Sequence, residues 1–260
     1  MTTDLLPLLL AAISGGIVAL LLTLFGGGGS VLAVPLLLYV VGVRDPHVAI
    51  GVSAAGVALN ALTALVGHAR AGRVLWPCAT LFAITGATGA WFGSTLAKMI
   101  DGHQLLLIFA VAMAAVGVSM LRPRAVIAGS EPRLTWAMSP GVSLTGIGVG
   151  SAAGFFGIGG GFLIVPGLMA STGMSLATAQ ATSLLSVAAF GATTAGNYAL
   201  SGWLDWSLVA AMAAGGLVGT TAGLPLARRL GSNAVLGRRL FAGLILIVAA
   251  YVAIRAASGV

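Results

Sequence analysis

Two short stretches of glycine, at residues 26–29 and 157–161, stand inside otherwise apolar sequence. Glycine permits backbone conformations and close approaches that other residues resist. Each stretch precedes a short apolar run, one starting near Ser30 and the other near Phe162. A short helix that begins inside an apolar environment turns its free N–H groups and the positive end of its dipole toward the break. Such an end binds an anion without any charged side chain. The spacing therefore predicts an anion site built from Gly28, Gly29 and Ser30 on one side and Gly159, Gly160 and Gly161 on the other. Close helix packing is the plainer use of glycine. It suits Gly89/Gly93, Gly146/Gly150/Gly154 and Gly215/Gly219/Gly223. It suits the clusters less well, because consecutive glycines disfavour helix. No strand precedes either cluster and no Gly-Lys-Ser/Thr follows, which excludes a nucleotide-binding loop.

A second set of residues shares the face of one helix. At about 100° per residue, Gln180, Thr182, Ser183, Ser186, Thr193, Thr194 and Asn197 fall within an arc of roughly 160°. Ser53, Asn60 and Thr63 form a matching side in the first half. Lining of a pathway and helix–helix glue both fit such a stripe. As candidate ligands, Ser30, Ser53, Asn60, Gln180, Thr182, Ser183 and Asn197 offer neutral hydrogen bonds. Neutral donors hold an anion reversibly, where a full buried ion pair would hold it too tightly for release. All five carboxylates sit at run ends or in loops, which argues against a buried proton relay or cation site. His68, at the end of its run, is the one candidate titrating group beside the site, although an ordinary interfacial histidine is the plainer reading. Cys78 is the only cysteine, so no intrachain disulfide or thiol pair forms. No catalytic constellation or metal-ligand spacing is present, so the sequence predicts no enzyme, no metal and no cofactor.

The elements that must position these residues follow from composition. Of 260 residues, 59% are hydrophobic and 7% charged, against about 25% charged in a soluble domain. Mean hydropathy is +1.10. A water-soluble domain, a coiled coil and a disordered chain are excluded. The long continuous apolar runs differ from the alternating segments of a transmembrane barrel. The sequence predicts an all-α polytopic protein of the cell (inner or plasma) membrane, with the lipid bilayer as its partner. Twelve Lys+Arg against five Asp+Glu reflect basic cytoplasmic loops rather than nucleic-acid binding.

The apolar runs fall at about 5–24, 30–43, 47–66, 75–97, 103–121, 136–156, 161–172, 175–200, 204–228 and 234–256. The halves repeat. The run from Phe25 to Pro35 matches Phe156 to Pro166, and Gly86, Gly89, Gly93, Leu96, Ala97 and Lys98 match Gly216, Gly219, Gly223, Leu226, Ala227 and Arg228. The predicted organisation is a first transmembrane repeat at 1–121, a cytoplasmic linker at 122–135 and a second transmembrane repeat at 136–260. Placing every basic loop in the cytoplasm makes each short run complete a crossing. Two inverted repeats of five segments result, one segment in each being a short helix after the glycine-rich break. Re-entrant short runs are the alternative. They give four crossings per half and put the arginines of 228–239 outside.

The paired Gly-x-Gly-Gly-Gly-x-x-x-Val-Pro pattern resembles the TauE/SafE sulfite exporter family, also called the 4-toluene sulfonate uptake permease family. Residues 157–166 are a close match and 26–35 a looser one, with Ser30 in place of a glycine. Ala181-Thr-Ser-Leu184 and Gly202-Trp-Leu-Asp-Trp206 are similar to its later motifs. The resemblance spans nearly the whole chain. It implies ATP-independent transport of sulfite, an organosulfonate or a related small sulfur-containing anion. An anion channel or facilitator of broader specificity and a non-transporting membrane scaffold are the alternatives.

Overall fold

The structure, a computed structural model, describes residues 5–121, 139–157, 161–230 and 234–257. The chain opens with α1 (Leu5–Phe25). A composite segment at 26–41 follows: a 3₁₀ stretch Gly26–Leu32, the single α turn α2 (Ala33–Leu36) and a π-helical stretch Leu37–Val41. The first half continues as α3 (Pro46–Arg70), α4 (Trp76–Ala97) and α5 (Gly102–Leu121). The second comprises α6 (Ser139–Phe156), α7 (Gly161–Thr172), α8 (Leu176–Leu200), α9 (Trp206–Leu230) and α10 (Ala234–Ala257). No strand occurs among the described residues. The expected linker at 122–135, Gly159 and Gly160 lie outside them. Among the described residues four helices, at Leu5–Leu24, Pro46–Arg70, Leu176–Leu200 and Trp206–Gly223, are long and apolar enough to cross a membrane.

Local sequence explains the boundaries. Asp45 caps α3 by accepting from the His47 N–H at 2.8 Å, and Pro46 follows where its missing N–H costs nothing. Ser175 caps α8 by accepting from the Thr178 N–H at 3.3 Å. The two helices are each 25 residues long. They reverse at Gly72 and Gly202, whose φ values of 67° and 74° lie in the left-handed region. The first glycine cluster differs from the open break its composition suggests, because it winds into 3₁₀ helix. Side chains at i and i+3 eclipse in that geometry, and glycine has none to eclipse.

Burial sorts the helices by position. Within the candidate spans, 78% of α3 and 56% of α8 are buried, against 33% of α1 and 39% of α9. The central pair is α3 and α8. They run antiparallel, with Gly51 against Tyr198 and Gly191 against Ala54 and Ala58. Two flanking pairs run parallel. In one, Ala12, Gly16 and Thr23 of α1 meet Gly215, Gly219 and Gly223 of α9. In the other, Gly86, Gly89 and Ala90 of α4 meet Gly146, Ile147 and Gly154 of α6. These glycines bring backbone against backbone, the close contact that drives helix association where water supplies no hydrophobic force. Ile84, Phe92, Val111, Ile247 and Ile254 point outward, each about 70% exposed. An apolar exterior of this kind suits lipid.

Helix ends gather on two faces. One carries the loops at 42–45, 98–101 and 201–205. The first two line a common cavity, and His47 stacks on Trp203 at 4.7 Å between ring centres. The other carries the loop at 71–75 and the start of α8, joined where the Leu75 N–H donates to Thr182 Oγ1 at 3.2 Å. They are called below the Asp101 face and the Arg70 face.

Candidate functional site

Ser53 ties the centre of the bundle to the second glycine stretch. It lies seven residues into α3, about 10 Å below the Asp101 face. Its Oγ is 2.9 Å from both the Ile50 carbonyl and the Gly157 carbonyl, so its one proton is shared between its own helix and the break. Gly157 takes φ 65° there and rests against Ile50. Ser183 sits at the corresponding place, seven residues into α8, and donates to the Gln180 carbonyl at 2.8 Å. Both serines are fully buried. Helix α7, which opens at the second glycine stretch, packs on the 3₁₀ stretch Gly26–Leu32. Ser30 is buried there, Gly29 packs against Leu21 and Leu22 of α1, Gly28 belongs to the 3₁₀ stretch, and Gly161 opens α7 as a buried residue.

The other predicted ligands disperse. Asn60 turns to the α1/α9 interface, where its Nδ2 donates to the Gly15 carbonyl at 3.4 Å and its amide packs on Gly216. Thr182 accepts from the start of α4, as above. Gln180 is half-buried one turn before Ser183. Asn197 lies about 22 Å along α8 from Thr182. Its Nδ2 faces the Ser94 and Thr95 hydroxyls at 2.7 and 2.9 Å and the Trp91 carbonyl at 3.3 Å. Its Oδ1 accepts from Lys98 Nζ at 2.6 Å. His68 occupies the last turn of α3, about 22 Å along that helix from Ser53. Among the described residues four hydroxyls, those of Ser14, Ser186, Thr194 and Tyr198, are buried without a hydrogen-bond partner. Such groups are costly in a dry core, roughly 1–3 kcal/mol each.

A second concentration of polar groups escaped the sequence reading. The Asp101 face opens into a cavity of about 880 Å³ lined by Tyr39, Arg44, Asp45, His47, Lys98, Asp101, His103 and Arg255, among others. In sequence these are scattered loop residues, and Lys98 reads as half of a balanced loop with Asp101. The usable signal was the position of Lys98, the only lysine, at the end of an apolar run. By contrast, the space between Val34, Ile50, Leu105, Phe109 and Phe156 has an apolar lining and no room for water.

Apolar helices around a core of neutral polar groups define a multi-pass helical protein of the cell membrane. The chain belongs to the sulfite exporter TauE/SafE family, whose model matches residues 11–252. It is 46% identical over 240 residues to a probable membrane transporter protein of Xylella fastidiosa strain Temecula1, covering 92% of both chains. A protein of the same description from strain 9a5c matches equally. The probable membrane transporter protein YunE of Bacillus subtilis is 23% identical over 227 residues, covering 79% of this chain and 83% of its own. No solved structure matches. The family is described as one of sulfite exporters and these relatives as probable membrane transporters.

Proposed function

We propose that the protein carries a sulfur oxyanion or sulfonate across the cell membrane, binding it beside the two glycine-rich segments. Ser53 is the nearest side-chain ligand at the second stretch, and Ser183, about 20 Å away along the antiparallel pair, is its counterpart below the other face. The observation that carries this reading is the Ser53 hydroxyl on the Gly157 carbonyl, deep in the bundle and away from any carboxylate. Backbone N–H groups at the start of α7 supply neutral donors with the partial positive charge of one helix end, roughly +0.5, and the serine hydroxyls join them on turning from the carbonyls they hold here. The composite segment at 26–41 contributes less charge, because its α turn is only four residues long. The unpartnered hydroxyls of Ser14, Ser186 and Thr194 fit a route that water or substrate enters in another state of the cycle.

The same reading has the two halves as inverted repeats. Equivalent helices α3 and α8 run antiparallel, while α1 and α6 start on opposite faces and each is followed by a segment that returns to its starting face. That arrangement supports alternating access by rocking of one half against the other. The test is uptake by purified protein in liposomes across sulfite, thiosulfate, sulfate, sulfoacetate and an aryl sulfonate. Ser53→Ala and Ser183→Ala are each expected to weaken apparent affinity about 2- to 13-fold, the equivalent of one neutral hydrogen bond of roughly 0.5–1.5 kcal/mol. Saturation separates a carrier from a channel. Wild-type affinity in both variants refutes the site, and no transport of any of the five anions refutes the substrate class.

A further inference from the structure

The cavity on the Asp101 face is lined by three cations, Arg44, Lys98 and Arg255, and two carboxylates. Asp45 and Asp101 both face it, but each carboxylate caps a helix. Asp45 accepts from the His47 N–H at 2.8 Å at the start of α3, and Asp101 accepts from the His103 N–H at 3.0 Å at the start of α5. A carboxylate at a helix N-terminus is offset by the dipole it caps. Lys98, the C-cap of α4, is offset in the same way by the negative end of that helix, but its hydrogen-bond partners are all uncharged. Its half-buried ammonium donates to three neutral acceptors: the Asn197 carbonyl at 3.1 Å, Asn197 Oδ1 at 2.6 Å and Ser201 Oγ at 2.9 Å. Those bonds fix the ammonium in place without cancelling its charge. Arg44 and Arg255 add two more cations from separate elements. His47 and His103 complete the polar lining.

We propose that this cavity is a binding site for a small soluble oxyanion, with Lys98 and Arg44 as its charged ligands. It is separate from the glycine-rich segments, and it collects anions at one mouth of the protein whatever the bundle does with them. With three cations against two carboxylates the lining carries a net positive charge, and a concave surface of that sign draws anions from bulk solution. Arrival of an anion also gives the Lys98 ammonium a charged partner in place of three neutral ones.

Trp203 reports on the site, because its ring stacks on the cavity-lining His47 at 4.7 Å. The experiment uses full-length protein in phosphatidylcholine nanodiscs with Trp76, Trp91, Trp136 and Trp206 replaced by Phe. Quenching of Trp203 is measured with iodide, an anion, and with acrylamide, which is neutral. At low salt, Lys98→Gln and Arg44→Gln are each expected to lower the iodide constant about two-fold, the effect of one unit charge at about 8 Å in water. Asp101→Asn, which keeps a capping side chain, is expected to raise it by a similar factor. Acrylamide quenching should stay constant throughout. Sulfate, added at constant ionic strength, should protect Trp203 from iodide in the parent and less so in the two cation variants. An iodide-to-acrylamide ratio unmoved by all three variants overturns the proposal. So does protection by added phosphatidylglycerol but not by sulfate, which would make the occupant a lipid headgroup. None of these readings depends on transport, so they stand or fall apart from the glycine-rich site.

Discussion

Asn197 shows what one residue's surroundings decide. In sequence it is a polar residue on the stripe of an apolar helix, and its type alone fits a substrate ligand as well as helix glue. In the fold its amide joins α8 to α4 through Ser94, Thr95, Trp91 and Lys98. The partners lie 99 to 106 residues away in sequence, beyond the reach of any helical periodicity. Asn197→Ala is expected to destabilise the protein by about 1–3 kcal/mol, since it leaves a half-buried ammonium and two hydroxyls short of partners. Asn197→Asp keeps the acceptor for Lys98 and adds an opposite charge, so it should retain most of the stability. Thermal unfolding in detergent compares them. An alanine variant of unchanged stability but weakened anion binding would return Asn197 to the substrate site. Ser53 is the opposite case. Its place beside a glycine-rich break was legible, because both features stand out against apolar sequence at matching positions in the two halves.

At the scale of elements, the ten apolar runs were legible to within a few residues. Capping residues, turn glycines and run lengths are local signals. The pairing of helices was not. Glycine spacing marks Gly146/Gly150/Gly154 and Gly215/Gly219/Gly223 as close-contact faces but carries no record of which helix each face meets. The partners are α4 and α1, so both of these second-half faces pack on helices of the first half. Substitutions separate the two kinds of glycine. A Cβ at Gly150 would run into the Gly86 backbone, which cannot yield without parting α4 from α6. Gly150→Ala should therefore cost about 1–3 kcal/mol, typical of overpacking. At Gly148, two residues away on the same helix, a Cβ meets nothing within 4 Å. Gly148→Ala should be neutral, or stabilising by up to about 1 kcal/mol through helix propensity. Unfolding midpoints of the two variants decide the matter, and equal effects would refute the α4/α6 interface.

For the whole molecule, helix direction and loop charge meet in one prediction of orientation. The Asp101 face carries Arg44, Lys98 and Arg255 with Asp45, Asp101 and Asp205, three charges of each sign. The Arg70 face carries Arg70 and Arg73 with no acidic residue between α3 and α4. Helix α9 starts on the Asp101 face and points its last turn, with Arg228 and Arg229, toward the Arg70 face. Basic excess marks the cytoplasmic side, so the Arg70 face is expected inside and the Asp101 face, with its anion-collecting cavity, outside. Single cysteines at Gly72, Gly42 and Gly202 in a Cys78→Ala background test this with an impermeant maleimide on intact cells. All three lie in turns where a Cβ meets nothing within 4 Å, so a reactive thiol fits. Each also has φ above 65°, so some strain is expected, and thermal stability must be checked before labelling is read. Labelling at 42 and 202 but only after lysis at 72 is the expected pattern. The reverse pattern would turn the cavity to the cytoplasm. Labelling of 42 and 202 from opposite sides would be the more serious result. It would break the shared face on which the loops of both halves meet, and the inverted arrangement would fall with it.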